Sequence, residues 1–260
     1  MCFWWREIVK IFALYNIKGG VGKTATCVNL AYLAARDGLN TLLLDIDPQG
    51  SASFYLRIKP EKKFGTKKLL KGKKKIDANI KGTDYDQLDL LPSDMSYRNL
   101  DIILNDLKQS KKKLKEIIDP LVSEYAYIFI DCPPNITLVS ENIFHAAHYL
   151  LVPLIPTTLS MLTYSKLIKF YKKHTLDQSK ILAFFSMVEK RKKIHQEIID
   201  DVHKVNKRFL KTYIPYASDI EKMGIHRQPV VIFRPNSPAS QSFIDLWNEI
   251  KTITAKKTLI

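Results

Sequence analysis

Short runs of apolar residues alternate along this chain with longer stretches in which apolar positions recur every three or four residues. Ile8, Val9, Ile11, Phe12, Ala13, Leu14 and Tyr15 form a nearly continuous β-prone run, the pattern of a strand covered on both faces. Beyond Thr24, Val28, Leu30, Ala31, Leu33 and Ala34 fall at helical spacing, with Asn29 and Arg36 expected outward. Further strands are expected over residues 41–44, 88–91, 125–130, 149–153 and 181–188. Helical patterns follow residue 94, end near Ala147, cover residues 159–171, and form a basic amphipathic helix over 194–210 and a closing helix over 238–252. The lysine-rich section 59–82 reads as a short helix with surface loops. Strands alternating with helices predict an α/β fold, a mostly parallel central sheet with helices on both faces. Neither a repeat nor a linker divides the chain, so residues 1–260 are expected to form one domain. Residues 1–7, with the Trp4-Trp5 pair, would be an N-terminal extension and 253–260 a frayed tail.

Between the first strand and the first helix stands Lys18-Gly19-Gly20-Val21-Gly22-Lys23-Thr24. Three glycines let the backbone curl so that successive N–H groups converge on one anion. The helix N-terminus adds partial positive charge, Lys23 can reach the β- and γ-phosphates, and Thr24 can offer a hydroxyl to magnesium. A glycine-rich turn with incidental lysines is the plain alternative, which the flanking strand and helix disfavour. The general phosphate-loop pattern asks for glycine where Ile17 stands; this chain has a second lysine, Lys18, instead. Two other strands end in acids: Asp45-Ile46-Asp47-Pro48-Gln49-Gly50 and Asp131-Cys132-Pro133-Pro134. In open parallel sheets ligands sit at such carboxyl ends. Asp131 follows the apolar Tyr127-Ile128-Phe129-Ile130, the layout of a carboxylate that holds magnesium directly or through water. Asp47 taken alone would be a helix N-cap or an Asx-turn before Pro48.

With Lys18 added to the loop, the motif resembles the deviant Walker A sequence of the ParA/MinD family of ATPases. The resemblance runs through nearly the whole chain, including Leu91-Pro92-Ser93, Val152-Pro153-Leu154-Ile155-Pro156, Phe184-Phe185-Ser186-Met187 and Ile214-Pro215-Tyr216. It implies a P-loop NTPase fold and ATP with Mg2+ as cofactors. It further implies that Lys18, Lys23 and Asp47 serve catalysis, Asp47 orienting or activating the attacking water. By the same resemblance Gly19, Gly20, Val21, Gly22 and Ala25 complete the phosphate loop, Thr24, Asp45 and Asp131 serve the metal, and Ser186 and Pro215 neighbour adenine. Ile17 stands where the ParA branch often has glutamine and Ala25 where threonine is frequent; neither change removes a charge, so altered affinity is expected rather than a dead site. In that family two subunits sandwich two ATP molecules, and the Lys18 of each would reach the other's phosphates, a fixed charge where negative charge develops.

Charge adds a partner. The net charge is +15, from 41 lysines and arginines against 26 acids, and the isoelectric point is near 9.5. Such an excess favours polyanions through counterion release, although any single cluster is more simply a solvated surface. Taken with the family resemblance, this implies an ATP-dependent homodimer on non-specific DNA, released by hydrolysis that a ParB-like adaptor stimulates. Arg191, Lys192, Lys193 and Arg227 are the expected DNA contacts, while the block from Lys59 to Lys75 would add only to the general field. A cytoplasmic, nucleoid-associated protein without stable membrane association is expected: no apolar stretch reaches membrane-span length, and Cys2, Cys27 and Cys132 fit a reducing compartment. The alternatives are a MinD-like ATPase whose C-terminal helix enters the lipid interface, and a metabolic ligase of the same superfamily. An iron–sulfur reductase would need a partner for Cys132 that the chain does not offer. The histidines receive no role.

Overall fold

The computed structural model describes residues 9–61, 64–107, 110–206 and 208–256. Ile8 at the start of the first expected strand, the Trp4-Trp5 pair, Cys2, Lys207 and the tail beyond 256 therefore lie outside the described residues. The chain runs through β1 (Lys10–Leu14), α1 (Lys23–Arg36), β2 (Thr41–Asp45) and α2 (Ser51–Tyr55). The lysine-rich section then makes two short helices, α3 (Thr66–Leu69) and α4 (Lys73–Asp77), before β3 (Lys81–Gly82) and β4 (Leu88–Leu91). The helical stretch after Asp94 is broken into α5 (Leu100–Asn105) and α6 (Lys113–Ile118), with single tight turns between, and leads to β5 (Tyr127–Asp131). There follow α7 (Leu138–Ala146), β6 (Tyr149–Leu154), α8 (Thr158–Lys173), β7 (Ile181–Phe185) and α9 (Lys193–Val205). Three helices of one turn each, α10 (Ser218–Glu221), α11 (Met223–His226) and α12 (Val230–Phe233), precede the closing helix α13 (Pro238–Lys256).

Among the described residues the strands form one seven-stranded sheet in the order β3-β4-β2-β5-β1-β6-β7. All neighbours are parallel except the two-residue edge strand β3, which pairs antiparallel to β4. Because strand side chains alternate, β1 sends Ile11 and Ala13, with Tyr15 just beyond it, into one core and Phe12 and Leu14 into the other. The first core lies under α3 to α9; the second lies under α1, α2 and the C-terminal helices.

Two expectations change here. Asn29 does not face outward: it is fully buried, because α1 is covered by the C-terminal segment as well as by the sheet. Its amide stays satisfied, donating to Ala25 O at 2.8 Å and accepting Val231 N–H at 3.4 Å. The closing helix extends to Lys256 with Thr254 buried, so residues 253–256 are no frayed tail.

Candidate nucleotide site

The strand order places β5 between β1 and β2, so the phosphate loop, Asp131 and the Asp45–Asp47 segment emerge side by side. Asp45 and Asp131 are register partners on neighbouring parallel strands, which puts their carboxylates on the same face. Both are fully buried. Asp45 Oδ2 accepts the Ser53 N–H at 2.8 Å and the Ser53 hydroxyl at 2.6 Å, while Oδ1 and both oxygens of Asp131 complete no hydrogen bond. Burial, with the nearby Asp47 charge, pushes the Asp45 carboxyl up to about 6 against the Ser53 bonds. Burial and the Asp45 charge push Asp131 well above the usual carboxylate range, opposed by the Thr24 hydroxyl and the Lys23 ammonium. Two buried acids with three unmet oxygens are costly in an isolated chain. A divalent cation beside Thr24 would repay that cost, and magnesium characteristically takes one or two carboxylates and fills its shell with water and phosphate oxygens. Among the described residues no group of three or more His, Cys, Asp or Glu gathers that could hold a metal ion.

Gly20 (φ 71°) and Gly22 (φ 85°) hold left-handed conformations that L side chains rarely adopt, and a Cβ on Gly22 would stand 3.0 Å from Ser186 Oγ. Thus the loop curls as its glycines imply. Asn16 fixes its entry, donating to Pro153 O at 2.6 Å and accepting the Lys18 N–H at 2.9 Å. Lys23 is only 7% exposed and donates to Lys18 O at 3.0 Å, folding back over the loop. Burial lowers the pKa of its ammonium, and the nearby Asp131 and Asp47 carboxylates oppose the shift.

Asp47 makes the Asx-turn that the plain reading offers: Oδ1 accepts the Gln49 N–H at 3.0 Å, and its carbonyl accepts the Gly50 N–H at 2.9 Å. The turn lies inside the site, so the two readings of Asp47 coexist. Two serines fasten it. The Ser93 hydroxyl donates to the Asp47 carbonyl, and the Ser93 N–H donates to Ser53 Oγ at 2.9 Å. Ser53 Oγ in turn donates to Asp45, giving a continuous chain from the Asp45 carboxylate to the Asp47 backbone. Sequence reading noticed Ser93 only as part of a strand end and missed Ser53 and Asn16; nothing in their type or spacing marks them.

On the other side of the loop a cleft of about 200 Å³ is lined by Gly20, Gly22, Ala25, Ser186, Pro215 and Tyr216, among others. The structure therefore brings the two expected adenine neighbours to the phosphate loop, 29 positions apart in sequence though they are. Their pairing comes from the backbone: Val188 N–H donates to Ile214 O at 3.1 Å and Tyr216 N–H to Val188 O at 3.0 Å. Met187, from the segment expected near the base, and Glu221 also line the cleft, as does Tyr55, which was not expected there.

Three of the four expected DNA contacts already have partners within the chain. Lys192 pairs with Glu189 and Lys193 with Glu197 at 3.7 Å. Arg227 lies over the Phe54 ring at 4.7 Å and donates to Phe54 O at 2.9 Å, clamping α11 to α2. Arg191 is exposed. The basic helix expected over 194–210 ends at Val205, because Phe209 leaves to bridge Ala183 of β7. What remains, α9, holds Lys193 and Lys204 against Glu197, Asp200 and Asp201, and is not basic.

This phosphate loop, set beside paired strand-end acids in a parallel sheet, defines a P-loop ATPase. Residues 9–184 match the family described as AAA domain. The sporulation initiation inhibitor protein Soj of Bacillus subtilis is 30% identical over 247 residues, covering 93% of this chain and 98% of that protein. The chromosome partitioning protein ParA of Myxococcus xanthus is 29% identical, covering 95% and 89%. A plasmid partition protein of Borrelia burgdorferi, solved bound to AMPPNP, superposes with a TM-score of 0.80 at 25% identity, covering 96% of this chain and 99% of that one. The chain belongs to the Soj/ParA family of partitioning ATPases. At 23% identity, cobyrinic acid a,c-diamide synthase of Mycobacterium smegmatis, solved with an ATP analogue and magnesium, shares the fold with a TM-score of 0.77.

Proposed function

We propose that this chain is an ATP-Mg2+-driven switch that pairs with a second copy, holds DNA non-specifically while paired, and is released by partner-stimulated hydrolysis, so that DNA or another cargo is segregated or positioned. The observation that carries the nucleotide half is the buried Asp45–Asp131 pair with three unmet oxygens beside Thr24 and Lys23. In this reading Thr24, Asp131 and Asp45 hold magnesium, directly or through water. Lys23 and the loop N–H groups hold the phosphates, Ser186 and Pro215 flank adenine, and Asp47 orients the attacking water. Bound magnesium neutralises charge on the phosphates; the other contributions come from this chain's own side chains. Lys18 is half-exposed at the start of the loop, and no ion pair among the described residues holds its side chain. That leaves it available to the phosphates of a second copy, where fixed positive charge favours the developing negative charge. Pairing doubles the phosphate contacts available to DNA, and affinity rises steeply with their number.

The C-terminal helix weighs against the membrane alternative. Phe243, Leu246, Trp247 and Ile250 of α13 are at most 1% exposed, so its apolar face is spent on the core. Among the described residues no helix is long and apolar enough to cross a membrane.

Sedimentation of the Asp47→Ala protein with ATP and magnesium tests the reading, together with its retention on duplex DNA with ATP and with ADP. Dimers and ATP-dependent DNA retention are expected, with hydrolysis lost; Lys18→Ala added to this background should return the protein to single subunits. Single subunits from Asp47→Ala itself, or equal retention with both nucleotides, overturn the switch.

A further inference from the structure

Of the DNA contacts expected from the sequence, Arg227 is clamped to Phe54, and Lys192 and Lys193 each have an acid beside them. The charge lies elsewhere. Between residues 59 and 81 there are ten lysines and two acids, a net +8 that is more than half of the molecule's +15. This segment is no loose tail. Phe64, Thr66, Leu69 and Ile76 are at most 3% exposed and root α3 and α4 in the core. Thr66 ties it to the turn after β4, its N–H donating to Ser96 Oγ at 2.8 Å and its hydroxyl to Ser96 O at 2.6 Å. With the apolar side chains spent inward, Lys59, Lys67, Lys71 and Lys75 are left exposed. Lys67, Lys68 and Lys71 form no ion pair with the described residues, and Glu61 is taken by Lys81 at 2.8 Å. These three lysines line a shallow groove of about 460 Å³ with Thr66, Ser96 and Asn99, and the exposed Asn99 amide adds a polar group suited to phosphate oxygens. The segment leads directly into β3, the edge of the sheet opposite β7 and α9.

We infer that the rooted lysine face of α3 and α4, at the β3 edge of the sheet, is the principal surface by which this protein holds the backbone of duplex DNA. The inference rests on the DNA-binding reading above and relocates its contacts. Because the backbone that carries these lysines is already rooted, the segment need not be ordered to meet a polyanion bearing one charge per about 1.7 Å of axis. A lipid surface is the poorer match, because an interfacial helix needs exposed large apolar residues and these helices, four and five residues long, bury theirs.

The test is binding of the full-length protein, saturated with ATP and magnesium, to a fluorescent duplex of random sequence across a salt series. Each phosphate contact contributes about 0.9 to the slope of log affinity against log salt, so K67Q/K68Q/K71Q/K75Q should flatten that slope by about 3 and weaken binding at least ~10-fold. R191Q/K192Q/K193Q should change it by less than ~1. All these lysines are exposed or half-exposed, and DNA-free ATP hydrolysis by the quadruple variant should equal that of the parent. An unchanged slope in the quadruple variant, or a loss confined to the 191–193 variant, overturns the assignment while leaving DNA binding itself intact. A parent that binds no DNA in any nucleotide state removes the functional reading and this inference together. Loss by the quadruple variant of retention on phosphatidylglycerol vesicles, with DNA binding unchanged, would make the face a membrane contact instead.

Discussion

Asp45 shows how a single side chain sets the behaviour of the site. Burial and the Asp47 charge hold its carboxyl near 6, above its value in an unfolded chain. Between about pH 4 and 6 the folded state therefore binds more protons than the unfolded state, so this group's contribution to stability falls as pH rises through about 6. That sign is opposite to the one a salt-bridged carboxylate gives. Asp45→Asn should raise the melting temperature of the nucleotide-free protein at pH 7.5, and by much less at pH 5, while weakening magnesium-dependent ATP binding. A variant no more stable than the parent at pH 7.5 contradicts this account. Ser93 acts one step further out, through the Asp47 carbonyl and Ser53. Ser93→Ala should lower the ATPase kcat by about tenfold with KM for ATP nearly unchanged, since it loosens the placement of Asp47 without touching the phosphates. Ser93→Thr keeps the hydroxyl and should restore most of the rate; an equal loss in both variants would point to packing alone. Of these residues the sequence revealed Asp45 and Asp47, because acids at a strand end are chemically conspicuous. It left Ser53 and Ser93 unmarked, because a serine's role depends on a partner 40 positions away.

At the scale of elements, α13 does more than close the fold. Trp247 packs against Phe12, Tyr127 and Phe129 at ring separations of 5.3 to 6.1 Å, and its indole N–H donates to Asp37 Oδ2 at 2.9 Å. Glu249 accepts the N–H groups of Lys211 and Thr212 at 2.8 and 2.9 Å, two residues before the cleft wall begins at Ile214. Phe243 reaches the cleft itself. Trp247→Ala should cost about 3–5 kcal/mol in chemical denaturation, the range for emptying a large buried aromatic site, and Trp247→Phe clearly less. Equal losses from the two would place the energy in the Asp37 hydrogen bond instead. The periodicity of residues 238–252 was enough to expect this helix and its apolar face. The same reasoning misjudged α9, where the helical pattern runs on past Val205 but the backbone of Phe209 is claimed by β7. A pairing to a strand more than 20 residues away is invisible to a local window. Asn29 fails for a related reason: one amphipathic face was assumed where α1 is covered on two.

Across the whole molecule, the two cores and the strand order settle what can meet. The nucleotide site lies where β1, β5 and β2 end together, and the inferred DNA face lies at the β3 edge, away from the paired charges of α9. In the proposed cycle, nucleotide-driven pairing would bring two such lysine faces into one particle, so affinity for DNA would change between states without any movement inside the lysine block. By itself the sequence determined the kind of chemistry: the glycines, lysines and hydroxyl of the loop, the acids at two strand ends, and the alternation that makes a parallel sheet. These are written in residue types at short spacing, where backbone conformation and charge act locally. Only the tertiary structure decided that β5 falls between β1 and β2, that Asp45 and Asp131 share one face with their oxygens unmet, and which lysines stay unpaired. Those outcomes depend on register and burial between segments far apart in the chain, and no local pattern encodes them.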